Sequence, residues 1–309
     1  MQAVDSDLFS HFWTFVKGSL YDCMTGLLLY GILLVLAVIA LHLLLSRPEA
    51  PGNRYFIAIT GTMLFLSTTQ AVLQSALVLF EFRLLSEELA GDLDAITQTA
   101  WTCQVVLFAQ AVVQVTNVLL ADALLIYRCY LVWGRNIYPV ILPVGMLAAC
   151  TALGYVSVFE MDIQSHDDHR PFAQVLDVRI PFIITILTNV VLTILIAGRI
   201  WWARRELHPV LSEPALTHRY DTAIAMILES GAVYCAAVIV WILASTYCGP
   251  ESPFTYICTG AVSQLVNIAP TLIIVRVGLG RRGDCEGCKK SDVQAIHMRR
   301  VEGFGSIAS

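Results

Sequence analysis

Two carboxylates, Asp122 and Glu229, interrupt otherwise apolar stretches of this sequence. An ionisable side chain at the centre of a membrane helix costs about 2.5–3.5 kcal/mol on the insertion scale, so such residues mark ion paths, proton relays or switches. The alternative is that each is held neutral or hydrogen-bonded between helices as packing. With a rise of about 1.5 Å per residue, Asp122 falls about 8 Å and Glu229 about 10 Å above the inner boundary, where the two could share a layer. Arg128 follows Asp122, but about 120° round a helical wheel, so these two cannot pair as helical neighbours. Arg128 is left to seek Glu229, a carbonyl or a lipid phosphate. A pair between Arg128 and Glu229 would tie the third apolar segment to the sixth.

Around Arg128 the pattern extends: Cys103, Gln110, Gln114, Asn117 and Arg128 fall within about 40° of one another at about 100° per residue. Such a stripe belongs inside a bundle, where amides bond across to neighbouring helices. Its two readings are a ligand-binding polar core and simple packing, with Arg128 snorkelling to the headgroups. Asn189, Gln264, Gln70 and Gln74 enlarge the same polar interior. Near the end of the chain, Asn267-Ile-Ala-Pro270-Thr271 combines an amide with a proline that frees the carbonyl of Val266. Asn267 or Thr271 could satisfy that carbonyl and leave a kink, either a hinge or a static bend.

These residues sit in elements that the composition already constrains. Of 309 residues, 57% are hydrophobic and only 14% charged, against roughly 25% charged in soluble proteins. Seven segments are long enough to cross about 30 Å of hydrocarbon: Met24 to Leu45, Tyr55 to Phe80, Gln104 to Tyr127, Ile137 to Phe159, Val178 to Trp202, Thr222 to Tyr247 and Phe254 to Val277. The predicted fold is therefore all-α, a seven-transmembrane helix bundle over 24–279, with an extracellular segment 1–23 and a cytoplasmic tail 280–309. Lys17 and the acids before the first span exclude a cleavable signal, so that span acts as an uncleaved anchor. Alternate connections carry 15 and 4 of the 19 Lys and Arg residues, which predicts an outside N-terminus and a cytoplasmic C-terminus. Asp22, Glu81 and Glu87 count among the acids of the poorly basic side.

Cys103, Cys248 and Cys258 map to the outer side and are disulfide candidates, with buried free thiols as the alternative. In the tail, Cys285 and Cys288 lie among basic residues that favour anionic lipid, which suits reversible palmitoylation. His166-Asp-Asp-His169 reads as a solvated acidic loop, and no metal site is predicted. A retinal protein is excluded because the only lysines are Lys17, Lys289 and Lys290, none inside a span. No nucleotide loop or nucleophile elbow occurs, so no enzyme activity, cofactor or nucleic-acid partner is predicted.

Asp122-Ala-Leu-Leu-Ile-Tyr-Arg128-Cys-Tyr-Leu-Val-Trp133, Glu229-Ser-Gly-Ala-Val-Tyr234 and Asn267-Ile-Ala-Pro-Thr-Leu-Ile-Ile-Val-Arg276-Val-Gly-Leu-Gly280, together with Tyr21-Asp22 and Tyr30-Gly31, resemble a group of uncharacterised seven-helix membrane proteins of basidiomycete fungi. That resemblance implies the topology and assigns no activity. A looser similarity is to G-protein-coupled receptors, which also place an arginine at the inner end of the third helix. Arg128 here follows Tyr127 rather than an acid, and Asn267 is not adjacent to Pro270. The expected role is a receptor-like sensor in the plasma membrane, with lipid neighbours, an extracellular small-molecule or peptide ligand and a cytoplasmic signalling partner. The alternatives are a small transporter or permease using Asp122 and Glu229, and a non-catalytic scaffold.

Overall fold

The computed structural model describes the backbone of residues 2–46, 53–164, 179–207, 214–249 and 251–276. Seven helices occur among these: α1 Gln2–Leu45, α2 Asn53–Ala90, α3 Leu93–Val132, α4 Tyr138–Gln164, α5 Arg179–Leu207, α6 Pro214–Tyr247 and α7 Pro253–Arg276. No strand occurs among the described residues, as lipid requires of a backbone that must close its own hydrogen bonds. Six of the helices are long and apolar enough to cross a membrane; in α6 the apolar stretch is Gly231–Tyr247. The tail with Cys285 and Cys288, and the His166–His169 loop, lie outside the described residues.

Tight turns set the antiparallel order. At the end of α2, Gly91 adopts φ +74°, which an L side chain resists. Its N–H bonds the Glu88 carbonyl and that of Asp92 the Glu87 carbonyl, a paired closure that satisfies the last carbonyls of α2. Asp92 then caps α3 by accepting from the Ala95 N–H at 3.3 Å. Between α3 and α4, Arg135 joins Gly134 at positive φ and its N–H returns to the Tyr130 carbonyl at 3.0 Å.

The bundle is turned inside out relative to a soluble protein. On α2, Thr60, Ser67, Gln74 and Glu81 recur every seven residues and are all buried, while Phe65, Val72 and Leu79 recur with the same period on the exposed side. Polar groups therefore face the protein and apolar ones the solvent, which only a hydrocarbon solvent favours. The α2 stripe runs 21 residues from Thr60 to Glu81, about 30 Å at helical rise and so the full depth of a bilayer core.

Packing makes α3 and α7 central. α3 touches α2, α4 and α5. α7 is the most enclosed of the six apolar spans, with 67% of its most apolar stretch buried against 39% or less in the other five. Val262, Val266, Ile274 and Val275 of α7 join Ala40 of α1, Met63 of α2, Ala121 and Leu124 of α3, and Tyr234 and Val238 of α6 in one core. A second core ties Ile126 and Cys129 of α3 to Val140 and Leu147 of α4 and Leu192 and Ile196 of α5.

Two differences from the predicted spans matter for the site. α1 begins at Gln2 and α2 ends at Ala90, so residues 2–23, expected as a separate segment, continue the first helix. Asp22 and Glu81 consequently lie within helices, not in loops.

Candidate functional site

The contacts sort the charged groups into two ends. At one end, the Arg128 guanidinium of α3 lies 5.7 Å over the Phe56 ring at the start of α2. There too, Arg199 of α5 lies over Trp133 and Trp202, and Arg205 over Trp201, and Arg276 of α7 pairs with Glu229 of α6. The opposite end carries acids: Ser19 of α1 donates to Glu81 Oε1 of α2 at 3.0 Å, and Arg83 pairs with Glu87 at 2.7 Å.

The acidic end contains the residues that sequence reasoning missed. Glu81 is 4% exposed, and its second oxygen, Oε2, is buried without a partner. Asp22, one helical turn after Ser19, is hydrogen-bonded by Gln74, while its Oδ1 is buried and unpartnered. α1 and α7 meet here at Gly260: a Cβ at that position would lie 2.3 Å from the Asp22 carbonyl oxygen and 2.9 Å from Asp22 Oδ1. Gly26 likewise admits the Gln74 side chain, whose Oε1 would lie 2.8 Å from a Cβ. The signal that could have found Glu81 is the seven-residue polar repeat on α2, which places 81 in register with 60, 67 and 74 although an acid looks like the end of a span.

The middle of the bundle holds a layer of amides. Asn117, Gln264 and Asn267 are fully buried; both amide atoms of Asn117 and Gln264, and Oδ1 of Asn267, have no partner in the protein. Gln110 and Gln114 are partly buried with orphaned Oε1 atoms. Each unmet buried polar group costs about 1–3 kcal/mol, so this layer calls for polar partners beyond those the described side chains supply. A direct bond here runs between helices: Asn267 Nδ2 of α7 donates to Ser67 Oγ of α2 at 2.6 Å. Thr271 Oγ1 donates to the Asn267 carbonyl at 2.7 Å. Pro270 lies one turn after Val266, yet neither Asn267 nor Thr271 serves the Val266 carbonyl as expected. The Asn267 side chain is drawn across to α2, and the Thr271 hydroxyl reaches its own i−4 carbonyl.

Asp122 occupies the other side of α3. It is 2% exposed, its Oδ2 has no partner, and it lies within electrostatic range of Tyr234, Cys235 and Cys150. Cys150 contacts Thr185 Oγ1 at 3.1 Å, and Asn189 Nδ2 donates to the Thr185 carbonyl at 3.4 Å. Asn189, itself buried, bonds back along its own helix α5.

Glu229 departs most from expectation. Its side chain is 62% exposed and pairs with Arg276 rather than with Arg128. The reason is helical register: Glu229 faces the α6–α7 groove, whereas Arg128 faces α2, with Nη1 buried and unpartnered. Beside the Glu229–Arg276 pair, Val233, Tyr234, Leu265, Ile268 and Leu272 line a cavity of about 60 Å³. Cys103, Cys248 and Cys258 are free thiols rather than disulfide partners; Cys103 and Cys258 are buried and Cys248 is exposed. Among the described residues no group of three His, Cys, Asp or Glu side chains could hold a metal.

No family model matches the chain, and neither a curated protein nor a solved structure matches it.

Proposed function

We propose that this chain is a receptor-like sensor that crosses the plasma membrane seven times, with its N-terminus outside and its C-terminus in the cytoplasm. The orientation follows from the retention of short basic connections on the cytoplasmic side. In this reading the amide layer of Gln110, Gln114, Asn117 and Gln264 accepts an extracellular small molecule or peptide group, and the basic end engages a cytoplasmic signalling protein. The observation that carries it is the clasp between Glu229 of α6 and Arg276 of α7. The clasp lies six residues beyond Pro270 in the helix whose Asn267 is tethered to α2. A ligand that repacks the amide layer acts on α7, and the clasp passes that movement to α6.

The test uses Glu229→Gln, Arg276→Gln and the double exchange Glu229→Arg with Arg276→Glu. Spin labels at the basic ends of α6 and α7 report their separation in nanodiscs, and a reporter cell reports ligand-independent coupling. Each single variant widens the α6–α7 distance and raises basal coupling, and the exchange restores both. Unchanged distances and unchanged coupling would reject the receptor reading.

A transporter reading has its own support in Asp22, Glu81 and Asp122, three acids within helices that make no ion pair with a basic residue among the described residues. It calls for proton- or cation-driven uptake by proteoliposomes that is lost in Asp122→Asn. A scaffold calls for neither response.

A further inference from the structure

The acidic end of the bundle has a feature that the receptor reading does not use. Glu81 and Asp22 face one another's helices with one unpartnered buried oxygen each, Glu81 Oε2 and Asp22 Oδ1. Two carboxylates in a low-dielectric setting cannot both keep their charge unless a positive group joins them. The nearby bases do not serve: Lys17 is exposed and lies 5.2 Å over the Trp13 ring, and Arg83 is largely exposed and bound to Glu87.

The surroundings supply a hydroxyl and an orienting amide. Ser19 Oγ is already on Glu81 Oε1, and the Gln74 side chain is on Asp22. Close contact of Gly260 with Asp22 and of Gly26 with Gln74 fixes α7, α1 and α2 against one another, so the oxygens cannot withdraw. A proton bridging two carboxyls needs two oxygens; the two carboxylates and the Ser19 hydroxyl, held on two helices and backed by a third, offer more. These three ligands are hard oxygens, with no imidazole or thiolate among them, which suits a hard cation; Gln74, which can bond the Asp22 carboxylate only through its N–H, orients that carboxylate. Calcium takes about 6–8 oxygens, more than these three side chains provide with single contacts.

We propose that Asp22 and Glu81, with Ser19 and Gln74, form a binding site for a small monovalent cation of the sodium type between α1, α2 and α7. The ion joins the two orphaned carboxylate oxygens and thereby holds the three helices together at this end. The site then acts as a cation-dependent brace on α7, which carries Gln264 and Asn267 of the amide layer, and on α2, to which Asn267 is bonded.

The full chain is purified in nanodiscs, and its thermal midpoint is followed as sodium chloride replaces choline chloride at constant ionic strength and pH. Sodium raises the midpoint of the unaltered protein by several degrees with saturation. Glu81→Gln, which keeps the shape and the acceptor for Ser19, and Asp22→Asn each lose most of that rise, whereas Asp94→Asn, at an exposed acid, keeps it. Binding of radioactive sodium to the unaltered protein in a scintillation proximity assay provides a measurement that does not depend on the variants folding. A midpoint indifferent to sodium together with no saturable sodium binding overturns the proposal. So does a sodium response retained in both Glu81→Gln and Asp22→Asn. A midpoint that follows pH but not sodium identifies a proton site instead, and a response to millimolar calcium without one to sodium refutes the monovalent assignment.

Discussion

Replacing Gly260 by alanine tests the close backbone approach of α1 and α7. The new Cβ would lie 2.3 Å from the main-chain oxygen of Asp22, and non-bonded carbon contacts relax only near about 3.5 Å, so α1 and α7 must part by about 1 Å. The obstacle is backbone, which no rotamer change can remove. Overpacking of this kind costs about 1–3 kcal/mol, and a radial gap of that size forfeits a quarter to a half of the dispersion energy of neighbouring contacts. Alanine is about 1 kcal/mol better than glycine in a helix, which offsets part of the loss. The net expectation for Gly260→Ala is destabilisation by about 1–2 kcal/mol.

Gly61→Ala, in α2, is the matched control, because a Cβ there meets nothing within 4 Å and only the helix-forming gain of up to about 1 kcal/mol applies. At about 2–4 °C per kcal/mol, the two variants should move the thermal midpoint in opposite directions and separate by about 2–12 °C. Intrinsic fluorescence during heating in a mild detergent provides the reading. Equal midpoints for the two variants would refute the close approach of α1 and α7, and with it the geometry around Asp22.

The bond between Asn267 and Ser67 is open to a double-mutant cycle with Asn267→Ala and Ser67→Ala, for which a coupling of about 0.6 kcal/mol, and no more than about 1.7, is expected from interhelical hydrogen bonds in membranes. Ser67→Ala alone should be the more damaging of the two, since it strands a buried amide donor. Orientation can be read from Cys248, which is exposed: with Cys285→Ser and Cys288→Ser, a membrane-impermeant maleimide should label intact cells at this thiol, and labelling only after permeabilisation would invert the topology. Cys129, fully buried, should react with a permeant maleimide only on denaturation; reaction in the native protein would argue against the α3–α4–α5 core.

The helical class, the apolar solvent and the segregation of charge were readable from the sequence, because each depends on local composition. About 20 apolar residues define a span wherever they sit, and the counts of basic residues between spans need no coordinates. The stripe on α3 was also legible as an angular pattern, and Asn117 does lie at the centre of the bundle. What the residues faced was not legible. Angular position on one helix cannot reveal which neighbour lies opposite, so Arg128 was offered Glu229 among its possible partners, and the structure pairs Glu229 with Arg276 instead. Nor could hydropathy alone extend α1 and α2 far enough to enclose Asp22 and Glu81: an acid lowers the average of any window, and only the folded bundle brings Gly260 of α7 against Asp22 and Ser19 of α1 against Glu81. Local chemistry determined that this chain lives in lipid; long-range packing decided which of its polar groups are left without a partner there.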